Sequence, residues 1–143
     1  MTGLCAALLA VSTPTMRVET AEEISGTFQA PDREVIDVKP ACRVSGVASS
    51  GPGSSIRFEL WLPRYGWNGR YYQLGNGGFA GAIHYASLAA EVARGNAVSS
   101  SDTGHRGNGF DARWASRNRV AIADYGYRSI GVAAAAARRL IEA

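Results

Sequence analysis

Apolar and polar residues alternate most clearly over residues 55–62. The apolar positions of this stretch are separated by one residue each: Ile56, Phe58, Leu60 and Leu62. A period of two is typical of a strand with one buried face, and Pro63 ends it. Residues 67–69 then predict a turn and residues 70–74 a returning strand, so these two strands are predicted to pair antiparallel.

The pattern before this strand is weaker. Residues 19–39 mix charged residues with glycine and proline, which indicates a linking segment that holds one short strand at residues 35–38. Residues 41–47 predict a further strand. Residues 48–54 have the serine, glycine and proline content of a loop.

Helical spacing begins after a glycine-rich stretch. Residues 82–94 predict a helix that ends at Gly95, with an apolar stripe of Tyr85, Leu88, Ala89 and Val92. Residues 97–100 predict a strand and residues 104–118 an irregular loop. A last helix starts near a possible cap at Asp124 and carries on one face Ile130, Ala133, Ala134, Ala137 and Ile141. Antiparallel strands followed by strand, helix, strand and helix predict the opening of an α/β sheet.

Composition limits the class of protein. The chain has 143 residues, of which 46% are hydrophobic and 19% charged, and this favours one globular domain over a disordered segment. Two cysteines are too few for a miniprotein built on disulfides. The apolar residues 3–11 predict a short helix of the mature protein, because they lack the positive flank of a signal peptide and are too few to span a bilayer. A cleaved signal peptide is the alternative interpretation of this stretch.

The net charge of +3 comes from 15 basic and 12 acidic residues, and it does not indicate a nucleic-acid partner. The arginines are spread singly, without a basic run or a known binding motif. Their densest group, within residues 106–119, is interleaved with an aspartate and asparagines and is typical of a solvated loop.

A glycine loop at residues 75–81 lies between a predicted strand and a predicted helix, where backbone N–H groups can face an anion at the helix N-terminus. Gly75, Gly77 and Ala80 fit a dinucleotide-binding pattern, with Asp102 as the ribose-binding acid. Adjacent glycines after a strand also fit the oxyanion hole of an α/β-hydrolase. A tight turn that binds no ligand is the third interpretation, and the pattern alone leaves all three open.

Asp102 and His105 lie three residues apart at a predicted strand end, as a catalytic dyad or two metal ligands would. The only further histidine is His84, and Cys5 and Cys42 are far from the spacing of metal ligands, so we predict no metal site. A structural role in the loop is favoured for the pair, with the carboxylate accepting turn N–H groups and the histidine donating to a neighbour. The chain contains no G-x-S-x-G motif and offers no candidate nucleophile.

Several sequence blocks together resemble the N-terminal part of the tannase and feruloyl esterase family, in order from about Cys5 to Ala143. They are residues 54–63 (SSIRFELWLP), 67–70 (WNGR), 75–81 (GNGGFAG), 101–105 (SDTGH) and 124–128 (DYGYR). Several blocks in the same order are far more specific than any one motif. The resemblance favours the oxyanion interpretation of the glycine loop over dinucleotide binding.

The resemblance implies a secreted or periplasmic serine esterase of α/β-hydrolase fold, acting on small esters of aromatic acids, with no nucleic-acid or membrane partner. Residues 1–143 are then the N-terminal segment of one catalytic domain. Family members carry a large lid domain that often binds calcium; that domain is not part of this sequence, so we expect this chain to bind no cofactor.

The resemblance also assigns residues. Gly77 or Gly78 is expected to supply a backbone N–H to the oxyanion, and Cys5 and Cys42 to form a structural disulfide. Candidates for contact with substrate are Asn76, Phe79 and His105. The family's catalytic histidine lies near its C-terminus, so that role is not transferred to His105.

The departures from the family are as informative. Family members continue into a strand and a nucleophile elbow whose serine follows a cysteine, and the catalytic acid and histidine come later still. We therefore expect an N-terminal fragment that is inactive alone. The strand at residues 97–100 is expected to lie beside an open sheet edge, which favours a missing stretch of chain or aggregation. The alternative is a stand-alone binding module that holds an anion or aromatic acid with Gly77, Gly78 and His105.

Overall fold

The computed structural model describes residues 3–143, with five strands and four α-helices in a mixed α/β arrangement. Three short turns of other helix types are also present: 3₁₀ turns at Leu8–Ala10 and Arg113–Ala115, and a π-helical turn at Asp124–Arg128. The main elements, in chain order, are α1 (Gly3–Ala7), β1 (Met16–Gln29), β2 (Val35–Ala48), β3 (Ile56–Pro63), β4 (Tyr71–Gln73), α2 (Tyr85–Ala93), β5 (Ala97–Ser101), α3 (Arg119–Ala123) and α4 (Ser129–Ile141).

The strands form one sheet in the order β1-β2-β3-β5-β4. The first three pairings are antiparallel, and β4 runs parallel to β5. Helices α1 and α4 pack on one face of the sheet, around Phe58 and Leu60. Helix α2 packs on the other face, around Trp61 and Val98. The sheet is therefore covered on both faces, as the predicted α/β class requires.

The prediction of a linking segment at residues 19–39 was wrong, because this stretch forms most of a long hairpin between β1 and β2. The register of β1 shifts after Val18 and again after Ile24. The first shift leaves an extra residue in β1, so that Val18 and Ala21 are buried on the same face although they lie three apart. The second shift leaves the extra residue in β2. The two strands predicted at residues 35–38 and 41–47 are likewise one continuous strand, β2.

The predicted pairing of residues 55–62 with 70–74 was also wrong. Strand β5 lies between β3 and β4, and both faces of β3 are buried because α2 covers the second face. The strand at residues 97–100 therefore has both neighbours, and on that side the sheet ends at β4 instead.

The predicted stripe of α2 is confirmed, since its four residues are the buried ones, but the helix begins at Tyr85 rather than residue 82. Gly95 follows α2 with a φ of +82°, as its predicted place at the helix end requires.

The last helical segment starts earlier than predicted. Asn118 caps it, its side chain accepting the Ala121 N–H at 3.0 Å, and Asp124 is buried inside the π-helical turn rather than at a cap. A π turn takes an extra residue and rotates the helix face that follows it. The buried face of α4 is consequently Ser129, Ala133, Ala136, Ala137 and Leu140, and Ile130 is exposed.

The disulfide between Cys5 and Cys42 is confirmed, and it ties α1 to β2. Both half-cystines are buried in the α4 side of the core. Within residues 3–143, no helix combines the length and the apolar character that crossing a membrane demands.

Glu59 is a buried carboxylate on the α2 side of the sheet, only 2% exposed. Arg43 binds it through two hydrogen bonds of 2.6 and 2.9 Å, and the indole N–H of Trp61 donates a third at 2.9 Å. Burial, and then the charge of Glu59, raises the pKa of Tyr85, whose hydroxyl faces this carboxylate at 3.4 Å. A paired and hydrogen-bonded charge of this kind is how a core accommodates a glutamate.

Candidate functional site

The glycine loop of residues 75–81 leaves β4 and is held against the segment that follows β5. Within it, Ala80 donates its N–H to the Gly77 carbonyl at 3.1 Å, which closes a turn. Gly81 and Gly107 exchange backbone hydrogen bonds of 2.9 and 3.3 Å, and Phe79 donates its N–H to the Gly109 carbonyl at 3.0 Å. The loop is thus paired through its backbone to a second loop.

Two side chains hold the carbonyl groups of the same turn. The His105 Nε2 lies 2.7 Å from the Phe79 oxygen, and the Tyr125 hydroxyl donates to the Gly78 oxygen. A carbonyl can only accept, so His105 carries its proton on Nε2. The peptide groups that join Gly78 to Phe79 and Phe79 to Ala80 are therefore held at both their N–H and C=O ends.

The N–H groups of Gly77 and Gly78 are different. They donate no hydrogen bond to any residue that the structure describes, and both glycines are exposed. Gly78 has a φ of +57°, and a Cβ there would lie 2.6 Å from the Gly109 oxygen, so only glycine fits this close approach. Adjacent free N–H groups on a fixed turn are suited to binding a negative oxygen.

The sequence predicted that the loop leads directly into a helix, and the structure shows that it does not. Residues 82–84 separate it from α2, and the His84 N–H is bound to the Ser100 hydroxyl at 3.2 Å. A dinucleotide fingerprint needs its glycines to open the helix. This arrangement disfavours the dinucleotide interpretation.

Asn76 uses its side chain inside the loop. Its amide nitrogen donates to the Ser101 oxygen at 2.8 Å, and its amide oxygen lies 2.8 Å from His84 Nε2 and 3.3 Å from the Ala82 N–H. These bonds fix the loop to the end of β5 and to the start of α2. Both histidines of the chain therefore hydrogen-bond to this one loop.

The three predicted substrate contacts differ in access. Phe79 is 47% exposed beside the free N–H groups, whereas His105 is 8% exposed and stacks on Trp114 at 3.7 Å between ring centroids. Asn76 is partly buried by its loop contacts. Only Phe79 presents a large free surface to a ligand, and contact of any of the three with substrate stays a prediction.

Asp102 and His105 do not form a dyad, since no hydrogen bond joins their side chains in the part of the chain described. One oxygen of Asp102 accepts the backbone N–H groups of Arg57 at 3.0 Å and Gly104 at 2.9 Å. Thr103, between Asp102 and Gly104, has a φ of +57°, which is strained for a β-branched residue. The carboxylate thus holds the strained turn from which His105 projects.

Burial raises the pKa of the Asp102 carboxyl above its ordinary value. The folded protein therefore keeps this proton to a higher pH than the unfolded chain, and its stability falls as the pH rises past about 4. In Asp102→Asn the amide oxygen can accept the same two N–H groups without a charge. We expect the melting temperature of the variant, measured from pH 4 to 7 in a protein that contains this chain, to fall a few degrees less than that of the wild type.

Asp111→Asn is the matched control for this experiment. Hydrogen bonds from Arg113 lower the pKa of Asp111 to about 2, so its charge in the folded protein is constant over the same pH range. Above about pH 5 the unfolded chain is also ionised at this position, and there the pH dependence of this variant should equal that of the wild type. If Asp102→Asn had the same pH dependence as the wild type, ionisation of the buried Asp102 carboxyl would not destabilise the folded protein.

The described residues contain no activated nucleophile. Both cysteines are in the disulfide, and the two imidazoles are bound to Asn76 and to the Phe79 carbonyl rather than to a serine. Nor does the described part of the chain bring three or more His, Cys, Asp or Glu side chains together as a metal would require. The chemistry available here is hydrogen-bond donation to a bound oxygen.

Sequence reasoning missed the aromatic cluster behind the loop. The rings of Trp114 and Tyr125 lie 5.1 Å apart, and that of Tyr125 lies 5.5 Å from His105. Trp114 comes from an irregular loop and Tyr125 from the π-helical turn, and no periodic pattern connects the two. The only available signal was the presence of Tyr125 in one of the recognised blocks.

Comparison with known proteins identifies the family. The family model of tannase and feruloyl esterase matches residues 42–143. An uncharacterised esterase of Xanthomonas campestris is 40% identical over 141 residues, covering 97% of this chain and 24% of that protein. A probable feruloyl esterase B-2 of Aspergillus flavus is 36% identical over 102 residues, covering 71% of this chain and 19% of that protein.

Two solved structures share the fold over 99% of this chain and 29% of their own length. They are feruloyl esterase B from Aspergillus oryzae, with a TM-score of 0.89 and 22% identity, and an esterase from the same organism, with a TM-score of 0.85 and 25% identity. The chain thus spans about a quarter of the length of the relatives it matches. The predicted placement in an α/β-hydrolase fold is confirmed, and the chain belongs to the tannase and feruloyl esterase family.

Proposed function

We propose that this chain is the oxyanion-loop segment of a serine carboxylic-ester hydrolase that cleaves small esters of aromatic acids. One observation carries the proposal: the N–H groups of Gly77 and Gly78 are free while the peptide groups after them are held at both ends. The names of the relatives, feruloyl esterases among them, support the substrate class.

In the proposed reaction, a serine outside residues 1–143 attacks the ester carbonyl and forms an acyl-enzyme. The carbonyl oxygen becomes negative in the transition state, and Gly77 or Gly78 donates an N–H to it. Because the turn is already fixed, little reorganisation is needed when the charge develops. The exposed ring of Phe79 lies next to these donors, where it can pack against an aromatic acyl group.

The strand that would carry the nucleophile can pair with the free edge of β4. Strand β4 is an edge, and the glycine loop starts from its end. A further strand added there would end beside the loop, as the carboxyl ends of parallel strands do. This open edge is the reason to expect residues 1–143 to aggregate when they are produced without the rest of the protein.

The disulfide supports a secreted or periplasmic location, because such bonds persist in oxidising compartments. That this segment binds no cofactor stays a prediction.

The test is hydrolysis of methyl ferulate by the full-length protein that contains this chain. We expect saturable release of ferulic acid that a serine-directed sulfonyl fluoride abolishes. Methyl acetate, which lacks the aromatic ring, is the matched control and should be cleaved far more slowly. Binding of ferulate without any hydrolysis would overturn the proposal in favour of a binding module.

A further inference from the structure

We infer that His105 is a positioning residue for the oxyanion loop, acting through the Phe79 carbonyl and touching no substrate. This inference rests on the proposed function only for its effect on rate. The bond from His105 Nε2 to the Phe79 oxygen, 2.7 Å long, is the only hydrogen bond of the ring within residues 3–143.

The surroundings of His105 fix the direction of this bond. Its ring stacks on Trp114 with an angle of 15° between the planes, and Tyr125 meets it edge-on at 69°. The backbone N–H of His105 donates to the Asp102 backbone carbonyl at 3.3 Å. Its backbone oxygen is so near Gly81 that a Cβ at Gly81 would lie 2.1 Å away. Both the ring and the backbone of His105 therefore contact the glycine loop directly.

The peptide group that His105 holds is hydrogen-bonded to the peptide group that carries the Gly78 N–H. The Phe79 carbonyl belongs to the same peptide group as the Ala80 N–H, which closes the turn on the Gly77 carbonyl. If His105 no longer held this carbonyl, the peptide could rotate and the turn would open. The Gly78 N–H, which shares a peptide group with the Gly77 carbonyl, would then lose its fixed position, and a small displacement of an oxyanion donor costs rate.

Two substitutions separate this bond from simple filling of space. The Nε2 of histidine lies three bonds from Cβ, as does the side-chain nitrogen of glutamine, whereas that of asparagine lies two bonds away. His105→Gln can therefore still donate to the Phe79 oxygen, and His105→Asn falls short of it. Both variants lose the stacking on Trp114, so a difference between them reports the hydrogen bond.

The experiment measures amide hydrogen exchange of residues 75–81 and ester hydrolysis in the full-length protein. In His105→Asn we expect exchange in the loop to be about tenfold faster, as the loss of one hydrogen bond implies. We expect kcat to fall ten- to a hundredfold while KM changes less than about twofold. In His105→Gln both exchange and kcat should stay within about threefold of the wild type.

The inference would be overturned if amide exchange were equal in His105→Asn and the wild type. It would also be overturned if the two variants showed the same rise in exchange and the same loss of kcat. Should the Asn variant fail to fold, the ¹⁵N spectrum of the wild-type histidines decides, with His105→Gln used to assign the signal. A proton on Nε2 supports the inference, and a proton on Nδ1 contradicts it. Neither exchange nor the tautomer depends on hydrolysis, so an inactive wild type would overturn the proposed function alone.

Discussion

Residues 1–143, purified by themselves, are expected to hydrolyse neither methyl ferulate nor a nitrophenyl ester. The glycine loop lowers the barrier only when a nucleophile attacks the ester carbonyl, and within the described residues neither imidazole activates a serine or a cysteine. Loss of a catalytic serine or histidine typically lowers kcat about a millionfold, which leaves nothing measurable in an ordinary assay.

The full-length protein in the same buffer is the control for this experiment, and it should be active. The measurement is release of ferulic acid or nitrophenol over hours. Turnover by residues 1–143 that a serine-directed inhibitor abolishes would contradict the account, since it would require a nucleophile that the described geometry does not show.

Gly78→Ala in the full-length protein is expected to lower kcat on the order of a hundredfold, with a smaller effect on KM. The added Cβ would lie 2.6 Å from the Gly109 oxygen, and the φ of +57° is unfavourable for alanine by about 1–2 kcal/mol. The loop must shift to relieve this contact, and the free N–H group of the same residue moves with it.

Gly75→Ala is the matched control for that variant. Gly75 belongs to the same loop, but a Cβ there meets no atom within 4 Å and its φ is not positive. Its kcat should stay within about twofold of the wild type, because surface changes of this kind cost little. A similar kcat in the two variants would mean that the shape of the turn at Gly78 does not matter for catalysis.

The elements that could be predicted from the sequence are those whose apolar residues follow one regular period. The alternation in β3 and the stripe of α2 place their residues as the structure does. The elements that were missed are those in which the period changes. A bulge in β1, a bulge in β2 and the π-helical turn before α4 each insert a residue, and the buried face moves with it.

Burial on the second face of β3 could not be read from its sequence either. Glu59 falls on the face predicted to be solvated. It is buried because α2 covers this face, and Arg43 of β2, 16 residues away in sequence, compensates its charge. Strand order could not be read from the sequence either. All three of β3, β4 and β5 were predicted as strands, but the position of β5 between the other two was not.

The candidate site divides in the same way. The glycine loop was found from local sequence, because glycines after a strand are a local feature. Its supports were not found, since His105 and Tyr125 lie 26 and 47 residues along the chain from the carbonyls that they bind. A hydrogen bond over such a separation depends on the whole sheet and leaves no pattern in either segment.

The most direct test of the central claim is a crystal structure of the full-length protein inactivated by an aromatic phosphonate ester. The phosphonyl oxygen in such an adduct occupies the place of the oxyanion. We expect this oxygen to lie about 2.7–3.1 Å from the backbone nitrogen of Gly77 or Gly78. An adduct whose oxygen is bound by other donors, with both of these nitrogens beyond about 4 Å, would contradict it.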